Sequence, residues 1–458
     1  MYQELINKQK QFFKTKTTYD YNFRKEMLNS LYNMIKSNED KICDALYQDL
    51  GKAKMEAYMC EVGLVLSSIT YAIKHLKSWM KPTRVKGNLS NFPSKSYILN
   101  DPYGVCLIMS PWNYPVLLSL DPLIGAISGG NTTILKLSNH SPETSQLLCE
   151  LINSTFNEKY IKVLLLNTDE TNELLKESFD FIFFTGSKRV GTIVMSAAAK
   201  NLTPVCLELG GKSPCIVTKN ANIEIAAKRI AFGKTINAGQ TCVAPDYIYI
   251  DKEIKDAFIE KLKQQITSFL TASPLDNPNY PKIISKHHLE RLISLIDKNK
   301  VVFGGKHNDE KIEPTILDNV TFDDSVMQEE IFGPLIPIIT YNDLEEVYNT
   351  LFERDYPLAL YIFTNKKSEY REITKYLRFG GGAINDTLMH LASETIPFGG
   401  VGKSGMGNYH GKYTFKTFTH EKGILRKNTK IDISLRYHPY TKKKEKTITK
   451  ILKYGRKI

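Results

Sequence analysis

Cys242 lies in the stretch NAGQTCVAPDYIYID (237–251), on a Gly-Gln-Thr-Cys turn ahead of a β-type run, Tyr247 to Ile250. A thiol there is either a buried packing residue or a nucleophile held within reach of substrate, since the thiolate is the form that attacks a carbonyl carbon. Two further segments hold groups that such a reaction would use. In LELGGKSP (207–214), Glu208 ends an apolar strand. A partly desolvated carboxylate has a raised pKa and can serve as a base; an interdomain ion pair is the other reading. In SPWNYP (110–115), Asn113 either donates its amide to an oxyanion or fills a turn position between two prolines.

Other segments suit an anionic cofactor. In FFTGSKRVG (183–191) an apolar strand ends at Gly186-Ser187, and a helix opens at once with a second glycine, Gly191. Backbone N–H groups at a helix N-terminus suit a pyrophosphate, and a tight strand-to-helix turn explains the same pattern. NTTILKLSN (131–139) ends a strand with Lys136, Ser138 and Asn139 and no acid. Nucleotide folds often present a carboxylate to the ribose there, so its lack would not repel a 2′-phosphate; a polar loop is the alternative. MQEEIFGPLIP (327–337), with Glu330 and Phe332, reads by itself only as a strand boundary. The glycines of IPFGGVGKSGMGNYHGKYTFKTFTH (396–420) suggest backbone packed close to a ligand or to another strand.

These groups need a frame, and the chain supplies one. Its 458 residues are 42% apolar and 24% charged, which fits a folded protein of two or three domains. Seven dispersed cysteines, with no CxxC and no zinc spacing, fit reduced thiols in the cytosol. No signal-peptide core or bilayer-length apolar run is present, so a cytoplasmic protein is expected. The net charge of +12 is concentrated at the end: TKKKEKTITKILKYGRKI (441–458) holds eight Lys/Arg and one Glu, which argues against a nucleic-acid partner for the body. Residues 21–50 read as an amphipathic helix, another helical stretch follows to Trp79, and 81–95 reads as a polar arm or crossover. From YGVCLIMS to TPVCLEL, strands alternate with helices. That rhythm calls for a parallel sheet covered on both faces, in a doubly wound nucleotide-type fold. A second α/β pattern runs from near 213 to about 390, and strand-like and irregular sequence follows 411.

In the order PWNYP, LKLS, FTGS, ELGG, GQTC, EEIFGP and PFGG, the segments resemble the NAD(P)-dependent aldehyde dehydrogenase superfamily over about residues 20–440. GQTCVAPDY, VMQEEIFGP, PFGGVGKSGMGNYHG and RYHPY are most similar to the class 3 fatty and aromatic aldehyde dehydrogenases. The resemblance implies a Rossmann-type cofactor domain (1–80 and 101–206) and a second α/β catalytic domain (207–410). It also implies a small β oligomerisation arm (81–100 and 411–440), a homodimer, and a basic tail (441–458). It implies that Cys242 is the nucleophile, that Asn113 and the Cys242 N–H hold the oxyanion, and that Glu208 activates the water that hydrolyses a thioester. Trp112, Lys136, Gly186 and Ser187 match positions around the adenosine and diphosphate. Glu330 and Phe332 match positions at the nicotinamide ribose and ring.

One departure bears on the cofactor. NAD-preferring relatives usually read KPSE where this chain reads LKLSN, so Asn139 replaces the ribose-binding glutamate and both NAD and NADP are expected to bind. Tyr114, Leu118, Phe232 and Ile396 lie beside the matched positions and suit medium or long aliphatic or aromatic aldehydes. In the tail, Ile448, Ile451 and Leu452 fall on one helical face among lysines. Both a weak peripheral contact with anionic lipid and a solvated end are open. Rival activities are a CoA-acylating aldehyde dehydrogenase and a redox-free cysteine hydrolase or acyltransferase. The latter needs a His partner for the thiol, and only His390 is a candidate.

Overall fold

The computed structural model of the protein describes residues 2–87 and 91–454. The arm read over 81–100 and the tail read over 441–458 each include positions, 88–90 and 455–458, that lie outside the described residues. Three sheets organise the rest. In the first, the order is Gly405–Met406, Val205–Glu208, Phe181–Thr185, Val105–Met109, Thr132–Lys136, Ile161–Leu164. All neighbours are parallel except Gly405–Met406, which runs antiparallel to Val205–Glu208. The chain moves outward from Val105–Met109 in one direction, then returns to its other side at Phe181–Thr185. The order therefore reverses between those two strands, and the crevice at their C-terminal ends is where such sheets take ligands.

Local sequence explains why this sheet is buried on both faces. Alternation along VCLIM sends Val105, Leu107 and Met109 into one apolar cluster and Cys106 and Ile108 into another. The helix Tyr2–Lys14 packs on the first face through Ile6, and the helix Leu117–Gly129, buried almost all round, packs on the second.

The second sheet has the order Val301–Phe303, Thr315–Leu317, Leu335–Tyr341, Tyr247–Asp251, Pro214–Val217, Ala359–Phe363, Gly381–Ile384. Only the first pair in that order is antiparallel. The third sheet pairs Thr83–Val85 with Ser94–Pro102, and Ser94–Pro102 with Thr419–Lys427, both antiparallel. The stretch read as an arm or crossover thus contributes Thr83–Val85 and the start of Ser94–Pro102 to this sheet.

Three expectations shift in detail. Residues 21–50 form two helices, Tyr21–Lys36 and Glu39–Leu50, because the Asn38 amide donates back to the Met34 carbonyl (2.8 Å) and closes the first. The boundary read at 206/207 falls inside Val205–Glu208, which pairs along its length with Phe181–Thr185; the first sheet continues through Glu208. Beyond 411, a helical turn, Lys412–Thr417, precedes the strand Thr419–Lys427.

Candidate active site

The Cys242 turn is built from a strained backbone. Asn237, Ala238 and Gly239 all have positive φ (49°, 49° and 71°). The two non-glycine residues cost about 1 to 2 kcal/mol each in that region, so their surroundings must hold them there. Gly239 is required, since a Cβ would collide with the Gly333 carbonyl. The holding contacts come from the SPWNYP turn. Asn113 Nδ2 donates to the Gln240 carbonyl (3.0 Å), Asn237 Nδ2 donates to the Asn113 carbonyl (2.9 Å) and to the Gln240 carbonyl (3.0 Å), and the Tyr114 and Thr241 hydroxyls are 2.8 Å apart. The Gln240 side chain donates to the Asn237 and Lys282 carbonyls and accepts from the Ile284 N–H (3.0 Å each). Two turns far apart in sequence are therefore laced together. Asn113 is 2% exposed and uses one amide hydrogen on Gln240, which leaves the second to donate elsewhere.

Cys242 is half-buried. Burial pushes its thiol well up, with the Glu330 and Glu208 carboxyls adding to the effect, while the Cys242 and Val243 N–H groups oppose it. Glu208 ends its strand at 2% exposure. Burial holds its carboxyl well above the usual range, and the Cys206 thiol donates to Oε1 at 3.8 Å. Its Oε2 has no partner, and neither do the buried Thr185 Oγ1, Glu330 Oε1 and Lys234 Nζ. Thr185 is the register partner of Glu208. Buried polar atoms without partners are uncommon, and the orphaned oxygens of Glu208 and Glu330, the two acids that act on the Cys242 thiol, mark a place for a polar ligand. Glu330 is raised to about 8, chiefly by burial and then by Asp246. Lys234, fully buried, is lowered by the same cause to about 8.

The residues expected at a cofactor fall into two groups. Ser187 and Glu330 line a cleft of about 1670 Å³ together with Arg189, Gly210, Lys212 and Arg291. The cleft is larger than an ordinary small-molecule pocket of about 300 to 1000 Å³. Its lining carries eight Lys/Arg against four Asp/Glu, which suits an anionic dinucleotide. Ser187 caps the helix Lys188–Ala199, accepting from Val190 N–H (3.4 Å), and a Cβ on Gly210 would collide with the Glu330 carboxylate. The ammonium of Lys136, half-buried at its strand end, makes no hydrogen bond or ion pair among the described residues, and burial lowers its pKa. Trp112 stands edge-on to Phe332 (5.4 Å between centroids), which places it beside the segment expected at the nicotinamide. Phe332, at φ 53°, is fixed by its carbonyl. His288 Nε2 lies 2.8 Å from that oxygen, while the Arg291 guanidinium bonds the Ile331 carbonyl.

Three expected residues face the scaffold. A Cβ on Gly191 would meet Leu209 at 2.6 Å, so this glycine lets the helix approach the chain after Glu208. The Gly186 N–H is spent on the Glu208 carbonyl (3.0 Å). Ser138 is buried and accepts from the His140 N–H (3.2 Å). His390 does not bond the thiol: both its ring nitrogens are buried without partners, and burial lowers its pKa to about 4. Residues that sequence reasoning passed over include Thr185, Lys234, Asn237, Gln240, His288 and Arg291. The threonine of FTGS and the glutamine of GQTC were within the quoted motifs. His288 and Arg291 had no local signal, since their partners are backbone carbonyls some forty residues away.

The model of the aldehyde dehydrogenase family matches residues 2–424. The 4,4'-diaponeurosporen-aldehyde dehydrogenase of Staphylococcus aureus (strain NCTC 8325 / PS 47) is 50% identical over 94% of this chain and 95% of its own length. Aldehyde dehydrogenase family 3 member I1, chloroplastic, of Arabidopsis thaliana is 42% identical over 98% of this chain and 83% of its own. Among solved structures, the substrate-bound state of Staphylococcus aureus AldH superposes with a TM-score of 0.96 at 48% identity, over 99% of each chain. The glyceraldehyde-3-phosphate dehydrogenase GapN of Methanocaldococcus jannaschii DSM 2661, complexed with NADP, gives 0.83 at 26% identity, over 93% of this chain and 94% of its own.

Proposed function

This chain belongs to the aldehyde dehydrogenase family, and from that premise we propose that it oxidises medium or long aliphatic or aromatic aldehydes to carboxylic acids with NAD or NADP. The observation that carries the reading is the convergence of Cys242, Asn113 and Glu208, with Glu208 Oε2 and Glu330 Oε1 buried and unpaired on the two acids that act on the thiol. The cofactor fits the residues present: a net-basic cleft, a capped helix start at Ser187, and an orphaned Glu330 oxygen suited to a ribose hydroxyl.

In this reading the thiol of Cys242 loses its proton and attacks the aldehyde carbon. The free amide hydrogen of Asn113 and the Cys242 N–H stabilise the oxyanion. A neutral amide suits this task, since a fixed cation would hold the oxyanion instead of letting it collapse. NAD or NADP, when bound, supplies the hydride acceptor. Glu208, once ionised, takes a proton from water; the water attacks the thioester carbon, and the acid leaves as the thiol is restored. The thiol pKa is raised by burial and by two nearby acids, so its deprotonation needs the two peptide N–H groups and a proton acceptor.

The test is appearance of reduced nicotinamide with a panel of aldehydes, 4,4'-diaponeurosporen-aldehyde among them, with and without CoA. Wild type is expected to reduce cofactor without CoA, and Cys242→Ala to lose at least about 10³-fold. Product that forms only with CoA would overturn hydrolysis in favour of acyl transfer. Turnover without reduction of cofactor would overturn the redox reading.

Three wider proposals accompany it. The unpaired outer edges of Thr419–Lys427 and Gly381–Ile384 support a homodimer formed by strand addition. The helix Lys442–Tyr454 supports a weak peripheral contact with anionic membrane; no described helix is long and apolar enough to cross one. All seven cysteines are free, which supports a reducing, cytoplasmic setting that cell fractionation tests.

A further inference from the structure

A buried ion pair stands directly behind the SPWNYP turn. Lys52 and Glu61 are both 0% exposed, and Nζ lies 2.6 Å from Glu61 Oε1. The ammonium also donates to the Asn113 carbonyl (2.7 Å) and sits 3.9 Å from the centroid of the Tyr114 ring. The other Glu61 oxygen accepts from the Val116 N–H (2.8 Å) and the Leu117 N–H (3.2 Å). The pair thus grips the turn at both ends, by the carbonyl of Asn113 and by the first amides of the helix Leu117–Gly129. A second acid joins from the same region: Glu56 accepts from the Asn237 N–H (2.8 Å). Asn237 shares the Asn113 carbonyl with Lys52.

Stability alone is a poor reason for this arrangement. Taking charges out of water costs several kcal/mol per ion, and well-packed apolar residues in such places are often as stable or more so. What an ion pair bonded to backbone on both sides does supply is geometry. On the lysine side the contact ends on one backbone oxygen, that of Asn113, which also accepts from Asn237. The Asn113 amide is in turn aimed at Gln240, two residues before Cys242. A shift of about 1 Å in a catalytic group can cost on the order of 10²-fold in rate.

We propose that Lys52, held by Glu61, is a positioning residue for aldehyde oxidation: it fixes the Asn113 carbonyl so that the free Asn113 amide hydrogen meets the oxyanion formed at Cys242. The inference rests on the reading of Asn113 as the oxyanion donor. Lys52 does not line the basic cleft, and its one hydrogen bond to the SPWNYP turn ends on the Asn113 carbonyl.

The test is a double-mutant cycle on the full-length enzyme, with Lys52→Met, Asn113→Ala and the two combined. Lys52→Met leaves Glu61 buried without its cation, so Lys52→Met with Glu61→Gln is made as well and enters the cycle if the single variant does not fold. Each protein is measured for kcat, for KM of the cofactor, and for the rate at which iodoacetamide alkylates Cys242. Asn113→Ala is expected to lower kcat on the order of 10²- to 10³-fold. The Lys52 variants are expected to lower it on the order of 10- to 10²-fold, with cofactor KM and alkylation rate within about threefold of wild type. Added to Asn113→Ala, they are expected to cost less than about threefold more, because the group they position is gone. If Asn113→Ala is slow while the Lys52 variants keep wild-type kcat, or if the two losses multiply, the positioning role is overturned and the oxyanion reading stands. Wild-type kcat in Asn113→Ala would overturn both.

Discussion

At Glu208 a single side chain carries two opposed demands. It must be buried to reach an acyl group on Cys242, and burial raises its carboxyl well above the usual carboxylate range, which disfavours the ionised form. The base is the ionised form, so its population grows as pH rises toward the elevated pKa, and hydrolysis should speed up in the same direction. We expect kcat of the wild type to rise with pH along a limb that Glu208→Gln abolishes. That variant should lower kcat on the order of 10²- to 10⁴-fold and still give one rapid equivalent of reduced cofactor per site. The Cys242 thiol is raised too, so a rising limb in kcat/KM should survive the substitution. Full kcat with an unchanged pH profile in Glu208→Gln would remove this residue from the reaction.

Elements decide which of these side chains meet. The strand ends of Val105–Met109, Thr132–Lys136, Phe181–Thr185 and Val205–Glu208 point the same way because the strands are parallel. Asn113, Lys136, Ser187 and Glu208 thereby gather at one edge of the sheet. The helix Lys286–Ser294 contributes from the other side. Neutral His288, lowered to about 4 by burial, donates from Nε2 to the Phe332 carbonyl and accepts at Nδ1 from Arg291 (3.4 Å), so one helical turn holds the loop that carries Glu330. The end of Thr132–Lys136 bears on cofactor choice. Lys136 is unpaired there, and the exposed Asn139 donates to the Leu166 carbonyl (2.7 Å) where an acid would stand free. We expect wild type to use NAD and NADP with kcat/KM values less than several hundred-fold apart. Asn139→Glu should lower kcat/KM for NADP relative to NAD by roughly 10- to 100-fold, through repulsion of the 2′-phosphate. An unchanged ratio would detach this position from cofactor choice.

At the scale of the whole molecule, the basic cleft is lined both by Ser187–Arg189 after the first sheet's Phe181–Thr185 and by residues of the second unit, and the three-stranded sheet has an exposed edge. Thr419–Lys427 pairs with Ser94–Pro102 over nine positions and leaves its other edge open, with Ile424 41% and Leu425 46% exposed. A long open edge with apolar side chains is a template for another strand. The tail helix turns back toward Ser434–Arg436: Lys444 donates to the Tyr437 and Pro439 carbonyls (2.9 and 3.2 Å), and Leu452 is 64% exposed. Two truncation-based measurements separate the roles of these parts. A chain ending at Tyr440 is expected to keep the mass of a dimer by light scattering and to cosediment less with anionic vesicles than the full chain. Leu425→Pro in that chain removes one donor from the edge and should yield the monomer. Equal vesicle binding would discard the tail as a membrane contact, and a monomeric wild type would discard the strand-addition dimer.

Periodicity and local chemistry were enough to read the alternating strands and helices, the strand-to-turn positions of Cys242, Glu208, Asn113 and Ser187, and the segments that relate the chain to its family. Such signals are local: a buried parallel strand must be apolar, and a turn must be glycine-rich or capped, wherever else the chain goes. The sequence was silent on contacts that close only in three dimensions. Nothing local to Lys52 or Glu61 marks them, yet folding removes both from water and ties them to a turn some sixty residues away. Gly191 and Ser138 were read beside the cofactor, and folding also sets Gly191 against Leu209 and Ser138 against the His140 amide. A residue's type fixes which bonds it can make, but only the tertiary structure decides which partner arrives and whether water remains to compete for it.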